Sequence, residues 1–546
     1  MSKIQLRLLS SLERCYLDEQ IVNKTQKSSF VMFQNEKLSF QVAYANEEVE
    51  AIKYLPVTLS GELSPYATVR EVVNLPVAFP MARVFDDGKY ERTAPGLYPD
   101  LLRPLHYAGK VPVPEGQLHA LWIDITLPSD FGAGNYSLTI AIGEDAIKAD
   151  VRVLNAKLPA QSLIHTEWFY TDCLAEHYHT RAFSEKHWKI IENFIRTAVE
   201  NGINMILTPV FTPELDTYIG GERMTTQLVD ITVNADGTYT FGFKNLARWI
   251  DLCLSYGIRY FEIPHFFTQW GAEHAPKFVA TVQGRKKRIF GWETDAMGKE
   301  YADFLAAFIP ALLAVFDARG LGDKVYFHVS DEPRLASLEQ YTRCRELIGQ
   351  YLQDRPIIDA LSDYDFWESG ALKKPIPAIK HISPFIENGV PNLWAYYCGA
   401  GDTAGCTNRY ISMPLGRVRV LGVQLWLYHI EGFLHWGYNY YHNRYSYEYV
   451  DPFGSTDGEY FAPGGDTYLV YPGNDGEAWE SLRLNAMREA MDDMRALALC
   501  ESMHGREFTE KIVRECAGGT LTFKDYPTDA QYFIRLREQL IRAIEN

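Results

Sequence analysis

The sequence predicts a multidomain α and β protein: an N-terminal antiparallel β-sandwich, a (β/α)8 TIM barrel, and C-terminal helices packed on the barrel. Three observations predict it. Short alternating apolar runs broken by turn residues fill the first 160 positions, without a convincing long helix. After Leu158-Pro159 the rhythm changes to strands alternating with amphipathic helices, the sign of a parallel sheet. From about Glu477 onward, apolar residues recur at helical spacing with Glu and Arg between them. The boundaries drawn are 1–160 for the sandwich, 161–476 for the barrel and 477–546 for the helical segment.

In the first segment, Phe30 to Phe33, Leu38 to Tyr44 and Ala120 to Leu127 read as strands. Pro95-Gly96-Leu97-Tyr98-Pro99-Asp100 reads as a proline-rich loop lying against the next domain. In the second segment, strands are expected at 163–170, 203–208, 259–263, 324–329, 355–361, 377–383, 392–398 and 418–428. Glu185 to Glu200 is an amphipathic helix stopped by Asn201-Gly202, and Asn245 to Tyr256 is another stopped by Gly257. Eight such units suggest the barrel, with seven units or an irregular barrel left open by the weak helical character before Asn392.

The stretch Lys324-Val325-Tyr326-Phe327-His328-Val329-Ser330-Asp331-Glu332-Pro333 carries the chemistry. It is a buried-strand pattern that ends abruptly in two adjacent carboxylates. In a parallel α/β fold, chemistry sits at the carboxyl ends of the strands, so Asp331 and Glu332 are candidate acid/base groups. Helix capping accounts for a lone Asp before Pro, but it does not require the Glu between them. The other strand ends supply aromatic and polar residues that would converge on the barrel mouth: Trp168, His265, Tyr396, Tyr397, Trp426, Trp436, Tyr438 and Asn439. Such a mouth suits a sugar, whose apolar ring face and polar edge match Trp and Tyr.

Composition narrows the ligand further. With 53 basic and 70 acidic residues the net charge is −17, which disfavours nucleic acid, anionic membranes and polyanions. A neutral small molecule fits better. His328, Asp331, His265 and His435 form no HExxH or comparable ligand spacing, and no phosphate-cradling glycine motif occurs, so neither a metal nor a cofactor is expected. The eight cysteines are scattered without CxxC spacing, and no stretch of about 20 apolar residues occurs. These features favour a soluble cytoplasmic protein with free thiols. Homo-oligomerisation is left open.

With these residues in place, the chain resembles glycoside hydrolase family 123, the exo-acting β-N-acetylgalactosaminidases, and a wider group sharing their catalytic domain. The likeness lies in Leu9-Ser10-Ser11-Leu12-Glu13, Pro95 to Asp100, His328 to Pro333, Asn392 to Tyr397, Gly432 to Trp436, and Tyr471-Pro472-Gly473 with Arg483 to Asp493. The resemblance implies a sandwich followed by a barrel, and a catalytic Asp-Glu pair at Asp331 and Glu332. It also implies substrate-assisted hydrolysis. Glu332 would protonate the glycosidic oxygen, while Asp331 would hold the sugar's acetamido group so that its carbonyl oxygen attacks the anomeric carbon. Pro333 would keep Glu332 extended. Trp168, Tyr396 and Trp436 would wall the sugar. Two other readings stay open: another sugar cleaved with a second carboxylate, Asp363 or Glu431, or a sugar-binding protein without turnover.

Overall fold

The computed structural model describes residues 4–46, 53–105, 108–399 and 403–546. The N-terminal strands form two five-stranded sheets. One runs in the order Gln5–Ser10, Lys37–Ala45, Leu118–Thr126, Ala67–Val77, Gly96–Pro104. The other runs Ser29–Gln34, Asp145–Lys157, Gly134–Ile142, Lys53–Ser60, Lys110–Val113. Period-2 alternation puts Phe40, Val42, Ile123, Ile140 and Val151 into the core between them. Pairing is antiparallel except between Asp145–Lys157 and Ser29–Gln34, which run parallel. Gly96–Pro104 is a strand of the first sheet, so the stretch Pro95 to Asp100, expected as a loop, is strand from Gly96 onward; residues 98–102 are buried without a break and carry no alternation, and the prolines at 95 and 99 read as loop.

Eight short strands then run parallel. Ile164–Glu167, Met205–Leu207, Tyr260–Ile263 and Val325–Phe327 follow one another in one sheet, joined on the other side by Gly432–His435 and Trp394–Tyr396. Ile358–Ala360 and Lys374–Ile376 pair with each other. Single parallel bridges, Phe327 to Ile357 and Ala378 to Tyr396, connect that pair to both ends of the larger sheet. The expected eighth strand at 418–428 is instead helical, Leu415–Arg419 and Leu421–Leu427, and the true strand follows at 432–435. The run is mostly apolar and buried on nearly every side, Arg419 and Gln424 included, so its hydrophobic pattern carries no period to separate helix from strand. The helix is wedged so tightly that a Cβ on Gly422 would lie 1.9 Å from the Ala490 carbonyl oxygen. The sixth strand lies three residues before its expected start, at 374–376, and Ser383–Glu387 is helical.

Helix Glu185–Glu200 is capped by the Ser184 hydroxyl, which accepts from the His187 amide. Helix Lys244–Tyr256 ends at Gly257, whose φ of +111° suits glycine alone. A four-stranded sheet, Asp230–Val233, Tyr239–Gly242, Phe278–Val282 and Arg285–Phe290, was not anticipated. It packs through Phe278 and Phe241 on Phe304 and Phe308 of helix Lys299–Asp317, beside the loops after the second and third parallel strands.

Helix Leu482–His504 runs along the seam with the N-terminal sheets. There Arg483 Nε and Nη2 donate to Asp100 at 3.0 and 2.9 Å, and the Tyr471 hydroxyl adds a third bond at 2.6 Å. Arg70 pairs with Glu480 at 2.9 Å, and Arg488 donates to the Lys37 carbonyl and the Ser39 hydroxyl. Helices Arg506–Ala517 and Ala530–Glu545 complete the C-terminal part. All eight cysteines are free, and no helix among the described residues is long and apolar enough to cross a membrane.

Candidate active site

The carboxyl ends of the parallel strands enclose a cavity of about 210 Å³. Its wall includes Asp331 and Glu332, three aromatics singled out from sequence (Trp168, Tyr396, Trp436), and Asp216 and Asp466 from loops. The fourth strand stops at Phe327, but its chain remains pinned for three further residues. His328 is held between two carboxylates, the Val329 amide donates to Asp359, and the buried Ser330 hydroxyl donates to the Thr268 carbonyl at 2.8 Å. Asp331 and Glu332 are therefore delivered into the cavity from a fixed support.

Glu332 departs from the extended geometry expected before a proline. Its φ is +44°, a left-handed conformation uncommon for any residue but glycine. This turn carries its carboxylate to Tyr396, whose hydroxyl donates at 2.6 Å. Strain of this kind costs about 1–3 kcal/mol and concentrates at functional sites. Burial, and next the Glu332 carboxylate, hold the Tyr396 phenol well above its ordinary pKa, so it stays a donor. Asp331 is half-buried. Burial first, then the neighbouring charges of Glu332 and Asp359, push its carboxyl well above the usual range, while His328 pulls the other way.

Beneath the pair lies a buried charged layer. Thr166 on the first strand and Trp168 just past its end, two apart and so on one side, both donate to Glu262 of the third, at 2.6 and 2.7 Å. His328 bridges Glu262 at 2.6 Å and Asp359 at 3.0 Å, and the Tyr341 hydroxyl donates to Asp359 at 2.6 Å. Burial alone would lower the His328 imidazole, but its hydrogen bonds to Asp359 and Glu262 prevail and raise it to about 10. His328 is thus an imidazolium at neutral pH. His265 lies against it, ring centroids 4.3 Å apart and planes tilted by 33°; among the described residues neither of its ring nitrogens has a hydrogen-bond partner, and its Nε2 is 3.6 Å from Asp359. Burial, and then the His328 charge, drive the His265 pKa well below its ordinary value.

His265, His328 and Asp359 lie close enough to share a metal ion. A metal would have to displace a proton from an imidazolium already bonded to two carboxylates. His435 does not join them; its Nδ1 accepts from the Gly437 amide, and its Nε2 lies 3.6 Å from Asp466.

Five of the expected sugar-contacting residues do not line the cavity. His265 sits in the layer below, edge-on to Trp168. Tyr397 alternates with Tyr396 and so faces away, its hydroxyl against the Met487 sulfur at 3.8 Å. Tyr438 packs on Phe169 and donates to the Phe194 carbonyl. Asn439 spends its amide on the Tyr170 backbone, at 2.9 Å in both directions. Trp426 lies on the misread helix, donating to Glu501 at 2.9 Å under the Arg506 guanidinium. The alternative carboxylates are displaced too: Asp363 caps the helix Tyr364–Glu368, and Glu431 precedes the eighth strand, paired with Lys374.

Sequence reasoning missed Asp216, Asp466, Glu262 and Asp359. The last two had a signal, a lone carboxylate inside Tyr260-Phe261-Glu262-Ile263 and Ile357-Ile358-Asp359-Ala360. A charge in a buried strand demands a partner. Asp216 and Asp466 sit in irregular loops where no period applies. Burial lifts the Asp466 carboxyl to about 7 against the pull of Arg409 and of hydrogen bonds from the Gly399 amide and the Trp436 indole.

Residues 168–500 match the family described as glycoside hydrolase 123, catalytic domain. No curated protein matches the chain. Among solved structures, a family 123 glycoside hydrolase from Clostridium perfringens, studied for glycolipid glycan hydrolysis, superposes with a TM-score of 0.72. The match is 13% identical and covers 100% of this chain and 97% of that one. A family 5 mannosidase from Rhizomucor miehei scores 0.31 at 11% identity, covering 62% of this chain and 94% of its own. A family 10 xylanase from Thermobacillus composti scores 0.30 at 11% identity, covering 60% and 97%. Neither of these two scores carries an argument about this fold. The family match spans more than half of the chain, across both the carboxylate pair and the aromatic wall. The protein belongs to glycoside hydrolase family 123 and is a glycoside hydrolase.

Proposed function

We propose that this hydrolase is a retaining exo-glycosidase that releases terminal β-linked N-acetylgalactosamine by substrate-assisted catalysis, and that its eight parallel strands form a (β/α)8 barrel. The observation that carries the reading is the adjacency of Asp331 and Glu332 in one small aromatic cavity, with Glu332 turned out of the strand onto Tyr396. Two neighbouring carboxyls cannot flank a ring from opposite faces, as the usual two-carboxylate scheme requires. They can serve adjacent substituents of one ring. Glu332 gives its proton to the glycosidic oxygen as the C1–O bond breaks. Asp331, in the ionised form it takes above its raised pKa, accepts the acetamido N–H, and the acetamido oxygen closes on C1 to give an oxazolinium. Water then attacks C1, Glu332 takes its proton, and the configuration is retained. The cavity is smaller than the usual 300–1,000 Å³ ligand pocket, which suits one terminal ring better than a long glycan. Eight cysteines without a disulfide suit a reducing, cytoplasmic setting.

The test is turnover of an unactivated β-N-acetylgalactosaminide by wild type and Glu332→Gln. Loss of a general acid costs about 10²–10⁴-fold. A wild-type rate in that variant removes the assignment. A second reading draws support from Asp216 and Asp466 in the cavity wall, either of which could act as an opposing carboxylate. Full activity on a glycoside lacking the 2-acetamido group would identify it.

A further inference from the structure

Outside the cavity mouth lies a group of exposed aromatics that the mechanism does not use. Trp270 lines the cavity and is 48% exposed. Its ring meets Tyr445 edge-on at 5.7 Å, Tyr445 approaches Tyr447 at 6.4 Å, and Tyr447 stacks on Tyr218 with ring centroids 4.5 Å apart and planes at 16°. Tyr447 is 61% exposed and Tyr218 is 36% exposed. Scattered surface aromatics need no explanation, but a contiguous run leading out of an active site does.

The backbone beneath these rings is strained and tightly tied. Asp216, Trp270, Tyr445 and Ser446 all have positive φ, between +48° and +65°. The Asp216 carboxylate accepts from the Tyr440 hydroxyl at 2.8 Å and from the Tyr445 amide at 2.9 Å. Its own amide donates to the Gln269 side chain at 2.8 Å, and the Ser446 hydroxyl donates to its carbonyl. The Tyr218 amide donates to the Tyr445 carbonyl at 3.1 Å. Three loops are thereby lashed together through Asp216, and the rings they carry are preorganised for a rigid partner.

We infer that these loops form the subsite for the leaving-group sugar, with Trp270 as the ring platform at its inner edge and the Tyr218–Tyr447 stack at its outer edge. This rests on the reading that the cavity holds one terminal sugar, because the remainder of the glycan then has to leave through the mouth past Trp270. The flat apolar faces and polar tips of Trp and Tyr complement a neutral pyranose, which offers a C–H face and hydroxyl rims. The net charge of −17 disfavours an anionic membrane surface as the occupant.

The test compares wild type, Trp270→Ala, Trp270→Tyr and Tyr447→Ala on two substrates: a trisaccharide with terminal β-N-acetylgalactosamine on lactose, and β-N-acetylgalactosaminyl fluoride, whose leaving group has no ring. The ratio of kcat/KM on the trisaccharide to that on the fluoride falls about tenfold in Trp270→Ala and falls in Tyr447→Ala, while Trp270→Tyr restores most of it. An unchanged ratio overturns the inference, whether both rates fall together or neither does. Saturation-transfer NMR with lactose alone gives signals for wild type that Trp270→Ala loses. This arm reads the platform even if the enzyme cleaves no acetamido sugar, so failure of the platform is separated from failure of the proposed activity. Lactose contacts that survive in Trp270→Ala also overturn it, as does binding to phosphatidylcholine vesicles that depends on Trp270 while the kinetic ratio stays fixed.

Discussion

Replacing His328 by Gln probes the charged layer under the proposed catalytic pair. In the wild type one imidazolium satisfies two buried carboxylates, Glu262 and Asp359, at 2.6 and 3.0 Å. Glutamine keeps a donor but loses the charge. Breaking a buried ion pair on one side costs about 3–5 kcal/mol, because the partner is left buried and uncompensated. The sign of the pH dependence follows from the raised pKa. A histidine lifted from 6.5 to about 10 contributes stability that is complete below pH 6.5 and lost as pH rises toward 10. At about 1.36 kcal/mol per pH unit, that window is worth a few kcal/mol. Urea denaturation between pH 6 and 10 should show wild-type stability declining across the window and the variant nearly flat and lower. The same charge holds down the Asp331 carboxyl, so its removal should move the acid limb of activity to higher pH. Equal stability of the two proteins, with parallel slopes and an unmoved acid limb, would mean that His328 is neutral and that the layer does not act on Asp331.

Two further outcomes test the site's assignment. Tyr396→Phe removes the 2.6 Å bond to Glu332, and hydrogen bonds to charged groups contribute about 1.5–3 kcal/mol. Steady-state kinetics should show kcat reduced about tenfold to a hundredfold with little change in denaturation midpoint. Trp426→Ala strips a buried ring from the outer helix and should cost about 3–5 kcal/mol in chemical denaturation, with KM of the folded enzyme unchanged.

The sequence was legible where one physical pattern governed each residue. Strands 37–45 and 118–126 alternate large apolar side chains, Phe40, Val42 and Tyr44 or Leu121, Ile123 and Ile125, with others that include Ser39, Gln41 and Asp124, and that pattern announces them although both faces are buried. Helices 185–200 and 244–256 carry both an apolar stripe and a stop signal. The carboxylate pair was visible because charge interrupts a buried strand. Legibility failed where a run rich in β-branched residues is buried on nearly every side: in residues 415–427 Val418, Val420 and Val423 read as strand while the segment is helical, and Trp426 falls outside the cavity with them. Side-chain direction failed for a different reason. Tyr396 and Tyr397 are chemically identical neighbours, and only register decides which one meets Glu332. The loops that bring Asp216 and Asp466 to the wall carry no period, and their placement depends on tertiary bonds such as Asp216 to Tyr440.

The arginine-rich seam along residues 482–504 binds the enzyme into one inseparable body. Arg483 is wholly enclosed, and its only carboxylate contact among the described residues is Asp100, which the N-terminal sheet supplies. A chain beginning near residue 160 would keep that cation in a dry interior with no counter-charge, and would expose the Arg488 and Glu480 surfaces that normally meet Lys37, Ser39 and Arg70. The first 160 residues therefore supply an internal counter-ion for the larger part that follows. Shuffling or trimming this enzyme has to carry both parts together.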